Sequence, residues 1–321
     1  MSRAVAQMLA PAQRVLVVSH LLPDGDALGS SLGLRHLLAA QGKQVAVFSA
    51  GPIPEEYGFL PGMEMVGDIL PPPDEVDLAV VLDCHQPERT GPVSGPYLAK
   101  LPRVAVVDHH QGEASMGQAA WVDPGFAATS EMLAEMAWEQ GWEMSPEAAT
   151  CLFVGVQTDT GSFRYSNTTP RCFRVAAGLT EAGARVWDIS QEVYATRPKR
   201  LRLLGRIMDN LELSQGGRLA MSQITLAELA RLNAGPADLE QAVETLRLIP
   251  GVEVSAMFRE TPNGAIKVSL RSRGKVDVSQ IAISLGGGGH KNAAGVTLEG
   301  NLAGVRRRIA DLLAQRLEEA S

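Results

Sequence analysis

The chain is poor in cysteine, in aromatic side chains and in long apolar runs. Its three cysteines, Cys84, Cys151 and Cys172, are odd in number and show no C-x-x-C spacing. That argues against a disulfide framework and a structural zinc site, and favours a reducing, cytoplasmic setting. No apolar run approaches the ~18 residues of a membrane span. The amino-terminal MSRAVAQMLAPAQR has no long apolar stretch followed by a small-residue cleavage site, so no signal peptide is expected. Positive charge is in deficit, with 36 acidic against 29 basic residues and a formal net charge of −7. This is the wrong sign for gripping long nucleic acid through its phosphates. Small polyanions remain open, because clustered carboxylates can hold cations that then face a phosphate. Internal repeats, low-complexity tracts, a G-x-S-x-G motif and a Cys-His signature are all absent, and the tryptophans are too scattered for a base-stacking series.

What is present is a strand–helix alternation. With 321 residues the chain is long for one domain and natural for two. Residues 15–19 (VLVVS), 44–48 (QVAVF), 77–83 (DLAVVLD) and 103–110 (RVAVVDHH) read as buried parallel strands. Leucines 28, 32, 34, 37 and 38 form a helical face between the first two. This rhythm predicts an α/β fold with a doubly wound, mainly parallel sheet. Helical segments follow near 128–140, 145–158, 170–182 and 185–195. The basic amphipathic stretch 198–213 (PKRLRLLGRIMDNLEL) reads as a connecting helix, with a solvated basic face or a phosphate-binding role both open. From about 216 the order changes to a smaller α+β unit. It contains a hairpin turning at Pro262, Asn263 and Gly264, a helix near 276–285, a glycine run, a strand and a last helix from about 302, on which Arg306 to Arg308 read as a solvated face. The expected division is 1–190, a linker over 191–215, and 216–321.

Three strands end in acids or histidines. The first runs into His20, Asp24 and Asp26, the next ends at Asp83, and the third ends at Asp108, His109 and His110. In an open α/β sheet, ligands bind outside the carboxyl ends of the strands. Each aspartate alone could be a loop starter or helix cap, but three convergent clusters of ligand-type residues point to a metal site. Carboxylates with some imidazole suit Mn²⁺ or Mg²⁺, and a pair of such ions can clamp an in-line displacement at phosphorus. Asp83, central among the strand ends, is the natural bridge. Asp159, in QTDTGSFRY, can complete the second ion's shell or serve near a helix C-terminus.

In this order, His20-LLP-Asp24-G-Asp26, Asp83, Asp108-His109-His110 and Asp159-TGSF resemble the DHH phosphoesterases, and Gly286-GGG-His290-KNAAG resembles their DHHA1 domain. The size and domain pairing look most like the bifunctional oligoribonuclease/PAP phosphatase branch. The resemblance implies a DHH domain joined by a helical linker to a smaller DHHA1 domain, and two divalent ions with Mn²⁺ preferred over Mg²⁺. One ion would be held by His20, Asp24 and Asp83, the other by Asp26, Asp83, His109 and Asp159. Asp108 would orient an imidazole or the loop, and His110 would contact the scissile phosphate or protonate the leaving oxygen. Arg89 and Arg164 are candidate nucleotide contacts, with a surface charge as the other reading. Arg271 and Ser272, with Arg273 beside them, match the family's phosphate-holding segment. Gly287, Gly288, Gly289 and His290 would bind the anion, or form a mobile surface loop. His85 lies close to Asp83 but outside the family pattern, and is a candidate for supporting the site from behind the ligands.

The implied activity is hydrolysis, by a hydroxide shared between the ions, of short RNA to 5′-mononucleotides and of 3′-phosphoadenosine 5′-phosphate (pAp) to AMP. Short DNA and a homodimer are compatible with the sequence; a membrane partner is not expected. The rivals are a family II inorganic pyrophosphatase, a RecJ-like exonuclease, a cyclic-dinucleotide phosphodiesterase and a non-catalytic nucleotide-binding regulator. The last should have lost ligands, whereas every motif position here is filled.

Overall fold

Apolar runs become strands and leucine-rich segments pack over them in the computed structural model, which describes residues 2–196 and 198–320. The chain divides after Ala195 into two units. The first runs α1 (Ser2–Leu9), β1 (Arg14–Val18), α2 (Gly25–Ala39), β2 (Gln44–Phe48), β3 (Val66–Gly67), β4 (Leu78–Leu82), α3 (Ser94–Leu98), β5 (Val104–Asp108), β6 (Ala119–Val122), α4 (Thr129–Glu139), α5 (Pro146–Asp159), α6 (Pro170–Glu181) and α7 (Val186–Val193). The second runs α8 (Pro198–Asp209), β7 (Glu212–Ser214), β8 (Leu219–Ile224), α9 (Leu226–Leu232), α10 (Glu240–Arg247), β9 (Val254–Glu260), β10 (Ile266–Ser272), α11 (Val278–Ser284), β11 (Gly288–His290), β12 (Ala293–Leu298) and α12 (Leu302–Glu319).

The first sheet has the order β3-β2-β1-β4-β5-β6, with every pairing parallel. This is the expected doubly wound arrangement. Its order reverses between β1 and β4, the place where an open sheet leaves a crevice at its carboxyl edge. Val15, Val17, Leu78 and Val80 face one core with α2, α4 and α5, while Leu16, Val18, Ala79 and Val81 face the other with Leu98 and Leu101. Burial on both faces explains why these strands read as unbroken apolar runs.

Helix α2 crosses α5 at close range. A Cβ on Gly29 would lie 2.4 Å from the carbonyl oxygen of Cys151, and one on Gly155 would lie 2.0 Å from Ser130 Oγ and 2.5 Å from Asp26 Oδ1. Only hydrogen fits at either position. The approach brings the first turn of α2 and the last turn of α5 to the carboxyl edge of the sheet.

The second sheet is ordered β11-β12-β10-β9-β8-β7, antiparallel except at β8–β9. One face packs on α11 and α12 through Val268, Leu270, Ile281 and Ile309; the other packs on α8, α9 and α10 through Leu203, Ile207, Leu229 and Val243. The unit is the expected smaller α+β fold, with two departures in detail. The basic helix stops at Asp209, and Glu212 to Ser214 form an edge strand instead of its last turn. Three of its four cations are engaged within the unit: Lys199 and Arg200 pair with Asp238, and Arg206 pairs with Glu228. Arg306, expected on a solvated face, reaches Gln223 Oε1 (3.0 Å) and Glu212 (2.5 Å), tying α12 to the sheet. Elements α1, β3, α3 and β6 carried no clear sequence signal, being short. Among the described residues no helix is long and apolar enough to cross a membrane.

Candidate metal centre

The loops after β1, β4 and β5 and the end of α5 converge on one set of donors. Asp24 caps α2, accepting the amides of Asp26 (3.1 Å) and Ala27 (3.0 Å), which starts the helix sharply and sends Asp26 inward. Asp83 leaves β4 at φ 60°, a conformation uncommon outside glycine, and its amide still donates to Val107 of β5 (3.0 Å). Such local strain persists only where the surroundings impose it, and it clusters at functional sites.

Among the described residues three donor groups form, each with its ligand atoms within 4.8 Å of one another: His20–Asp24–Asp83, Asp26–His109–Asp159 and Asp83–His109–His110. Asp83 belongs to two of them and has its oxygens divided. Its Oδ2 lies 3.3 Å from His20 Nε2, and its Oδ1 lies 3.4 Å from His109 Nε2. His109 Nε2 is also 3.1 Å from Asp159 and 4.0 Å from Asp26. Yet it is buried and makes no hydrogen bond of proper geometry. An imidazole nitrogen ringed by carboxylate oxygens without a hydrogen bond suits co-ligands of a shared cation.

The electrostatics agree. Burial opposes a charge on Asp83, but the imidazoles of His109 and His20 outweigh it and hold this carboxyl well below the usual range. Asp26 goes the other way, pushed well up by burial and then by the charges of Asp83 and Asp159. Asp159 rises to about 6, chiefly through burial. Burial lowers His109, but Asp159 and Asp83 more than compensate and raise it to about 11. Four carboxylates thus crowd a space that two imidazoles only partly neutralise, and the residues fit divalent cations.

Residues 14–156 match the family model described as the DHH family, N-terminal domain, and residues 216–319 match the DHHA1 domain. The bifunctional oligoribonuclease and PAP phosphatase NrnA of Thermus thermophilus is 35% identical over 99% of this chain and 95% of its own length. The chain belongs to the DHH/DHHA1 family. A Bacillus subtilis protein of the same description is 29% identical over 88% of this chain and 89% of its own. The crystal structure of an exopolyphosphatase-related protein from Bacteroides fragilis superposes with a TM-score of 0.89 at 29% identity, covering 99% of this chain and 95% of that one.

Against this family frame, the remaining site residues separate. Asp108 is fully buried; its Oδ1 accepts the His110 amide (3.0 Å) and His110 Nδ1 (2.8 Å). Arg89 is exposed; burial lowers His20, but Asp83 and Asp24 more than compensate and raise it, with the Arg89 charge only a small opposing influence. Arg164 is exposed, with Nε donating to Gly161 (2.6 Å). In the second unit Arg271, Ala293 and His290 are register partners across β10, β12 and β11, so Arg271 and His290 emerge on one face. Ser272 points to the opposite, buried face, where its Oγ accepts the Gly274 amide (3.0 Å). Arg273 donates to the Arg247 and Ile249 carbonyls. The amides of Gly286 and Gly287 donate to carbonyls of α11, and Gly288 to His290 form a strand. A Cβ on Gly287 would lie 2.3 Å from Gly295 O, and one on Gly289 would lie 2.4 Å from Ala294 Cα.

Sequence reasoning missed Thr129, Ser130 and Tyr57. The N-terminus of α4 closes the site from above: the Thr129 amide donates to Asp26 Oδ2 (2.6 Å), the Ser130 amide to Asp26 Oδ1 (2.9 Å), and Thr129 Oγ1 to Asp83 Oδ1 (3.1 Å). Tyr57, between β2 and β3, has its hydroxyl pushed up by burial and then by the nearby charges of Asp24 and Asp159. The one available signal was Thr-Ser at the start of a helical pattern, but Ala128 holds the cap position, and the pattern says nothing about which carboxylate the amides meet.

Proposed function

We propose that the chain is a metal-dependent phosphoesterase that hydrolyses RNA of a few nucleotides to 5′-mononucleotides and pAp to AMP. The observation that carries this reading is Asp83, whose two oxygens face two different donor groups. His20, Asp24 and Asp83 would hold one divalent ion, and Asp26, Asp83, His109 and Asp159 a second. Oxygen-rich sets with one imidazole each suit Mn²⁺, with Mg²⁺ as the alternative. When bound, such ions supply Lewis acidity and acidify water for attack at phosphorus.

The chain's own residues do the rest. Asp108 holds His110 by Nδ1, leaving Nε2 to contact a non-bridging oxygen or to give a proton to the leaving oxygen. Arg89 and Arg164 offer cationic contacts to the nucleotide. Residues 1–190 are the catalytic domain, 191–215 the connection and 216–321 the substrate-binding domain. In the last, Arg271 and His290 would hold the far phosphate, and Ser272 and Gly287 to Gly289 would shape that surface. A guanidinium suits bidentate phosphate binding. The substrate class follows the relatives named for oligoribonuclease and PAP phosphatase activity. A cytoplasmic location, activity on short DNA and a homodimer belong to the same reading.

The test is Asp83→Ala assayed with a labelled RNA dimer and pAp in Mn²⁺, with pyrophosphate as a third substrate. We expect both nucleotide activities to fall at least about a hundredfold, since the variant removes a ligand of both ions. Turnover at the wild-type rate would refute the mechanism, and rapid pyrophosphate hydrolysis by the wild type with inert nucleotides would refute the substrate class.

A further inference from the structure

We infer that His85 is a positioning residue for His110, acting through Asp108 and not as a metal ligand. The inference rests on the proposed role of His110 in facing the phosphate. Asp108 ends β5 and is fully buried. One of its oxygens is used by His110, through both the amide and Nδ1. The other accepts from His85 Nδ1 at 2.5 Å. An ionised carboxylate can only accept, so both Nδ1 atoms carry the hydrogen. His110 is thereby held in the tautomer that leaves Nε2 as its second ring nitrogen, on a side chain that is 39% exposed.

His85 is enclosed on its far side. A Cβ on Gly112 would lie 2.5 Å from His85 Nε2, and the Ser115 amide donates to the His85 carbonyl (3.1 Å). The imidazole therefore sits between Asp108 and the loop that follows His110. It belongs to none of the three donor groups found among the described residues. Removing it would leave a buried carboxylate oxygen without a donor. The carboxylate would then be free to turn and withdraw the oxygen that aligns His110. Misplacing a reacting group by about 1 Å can cost about a hundredfold in rate.

The test compares His85→Leu with His85→Asn in the full chain, using pAp and Mn²⁺. The Asn side-chain nitrogen can take the place of Nδ1 and donate to Asp108. We expect His85→Leu to lower kcat by about 10- to 100-fold. KM should stay within about twofold, and the calorimetric Mn²⁺ affinity should be unchanged. His85→Asn should recover kcat to within about threefold of wild type. An activity-independent readout is the hydrogen-bonded His110 Nδ1 proton, observed by NMR with Mg²⁺ and assigned by its loss in His110→Ala. It should shift in His85→Leu and return in His85→Asn.

Wild-type kcat with an unmoved resonance in His85→Leu would overturn the inference, as would a loss of Mn²⁺ affinity in that variant. If His85→Leu does not fold, a folded His85→Asn that lacks the resonance overturns it equally. A wild-type protein inert towards RNA dimers and pAp would sink the phosphoesterase reading, while the His110 resonance would still decide the role of His85.

Discussion

Single atoms set the character of the metal centre. Thr129 supplies a hydroxyl to Asp83 and an amide to Asp26, so two carboxylates of different donor groups share one anchor. Thr129→Val keeps the amide and nearly the same volume but deletes the hydroxyl. We expect Mn²⁺ affinity to fall by about tenfold or more, as for other groups that orient ligands, with little change in melting temperature; calorimetric titration checks both halves. Protonation gives a second prediction. His109 is raised to about 11 by the carboxylates around it, against burial, and Asp159 is raised to about 6 chiefly by burial. A proton on either group competes with a cation, so raising the pH must strengthen metal binding. While one proton is displaced, apparent Mn²⁺ affinity should rise about tenfold per pH unit. Titrations in buffers of different ionisation enthalpy should register proton release; a pH-independent affinity would contradict the assignment of His109 as a ligand. The ligand-type residues themselves were legible, because aspartate and histidine at strand ends are properties of the sequence. The partner Thr129 was not, because a threonine at the start of a helix has an ordinary structural use anywhere in a chain, and His85 was marked only by lying near Asp83, its link to Asp108 being invisible in the sequence.

The close crossing of α2 and α5 is what element packing contributes. Leucines along α2 announced a buried helix, and glycines at 25, 29 and 33 recur every fourth residue on the same helix. Glycine inside a helix ordinarily counts against it, so this spacing reads as weakness until a second helix is seen against it. Gly155→Ala should destabilise the fold by about 1–3 kcal/mol, the usual cost of overpacking, and should impair metal binding because its Cβ would collide with Asp26. Gly205→Ala is the contrasting case. It lies in α8 with nothing within 4 Å of its added Cβ, and we expect stabilisation of about 0.5–1 kcal/mol from helix propensity. Thermal and denaturant unfolding of the two variants distinguish a glycine required for contact from one that is merely tolerated. Strand β6, Ala-Ala-Trp-Val, escaped notice because four residues hold too little periodicity, and its pairing with β5 supplies what its sequence does not.

At the level of the whole molecule, each unit carries its own pair of cores. The second unit also carries an acid-sensitive clasp. Burial would raise Asp238, but the Gly235 amide, Lys199 and Arg200 hold it down to about 2. That is below the ~3.9 of an unfolded-chain aspartate. The clasp therefore contributes its full stability above about pH 4 and loses it as the pH falls through about 2. Asp238→Asn should melt earlier than wild type at neutral pH, and the difference should shrink in acid; an equal gap at every pH would show that the charge is not what matters. Much at this scale was readable in advance. Apolar runs alternating with a helical face specify a doubly wound sheet, such a sheet presents its strand ends along one edge, and the residues at those ends name the chemistry. All of that depends on side-chain type and local order along the chain. Only the tertiary structure decided that Asp83 turns one oxygen to His20 and the other to His109, that α4 lowers its first amides onto Asp26, and that Asp108 lies between His85 and His110. Apart from the Asp108–His110 pair, those contacts join residues far apart in sequence across distances near 3 Å. Geometry that fine is set by how the sheet, α2, α4 and α5 pack against one another, and no single segment contains it.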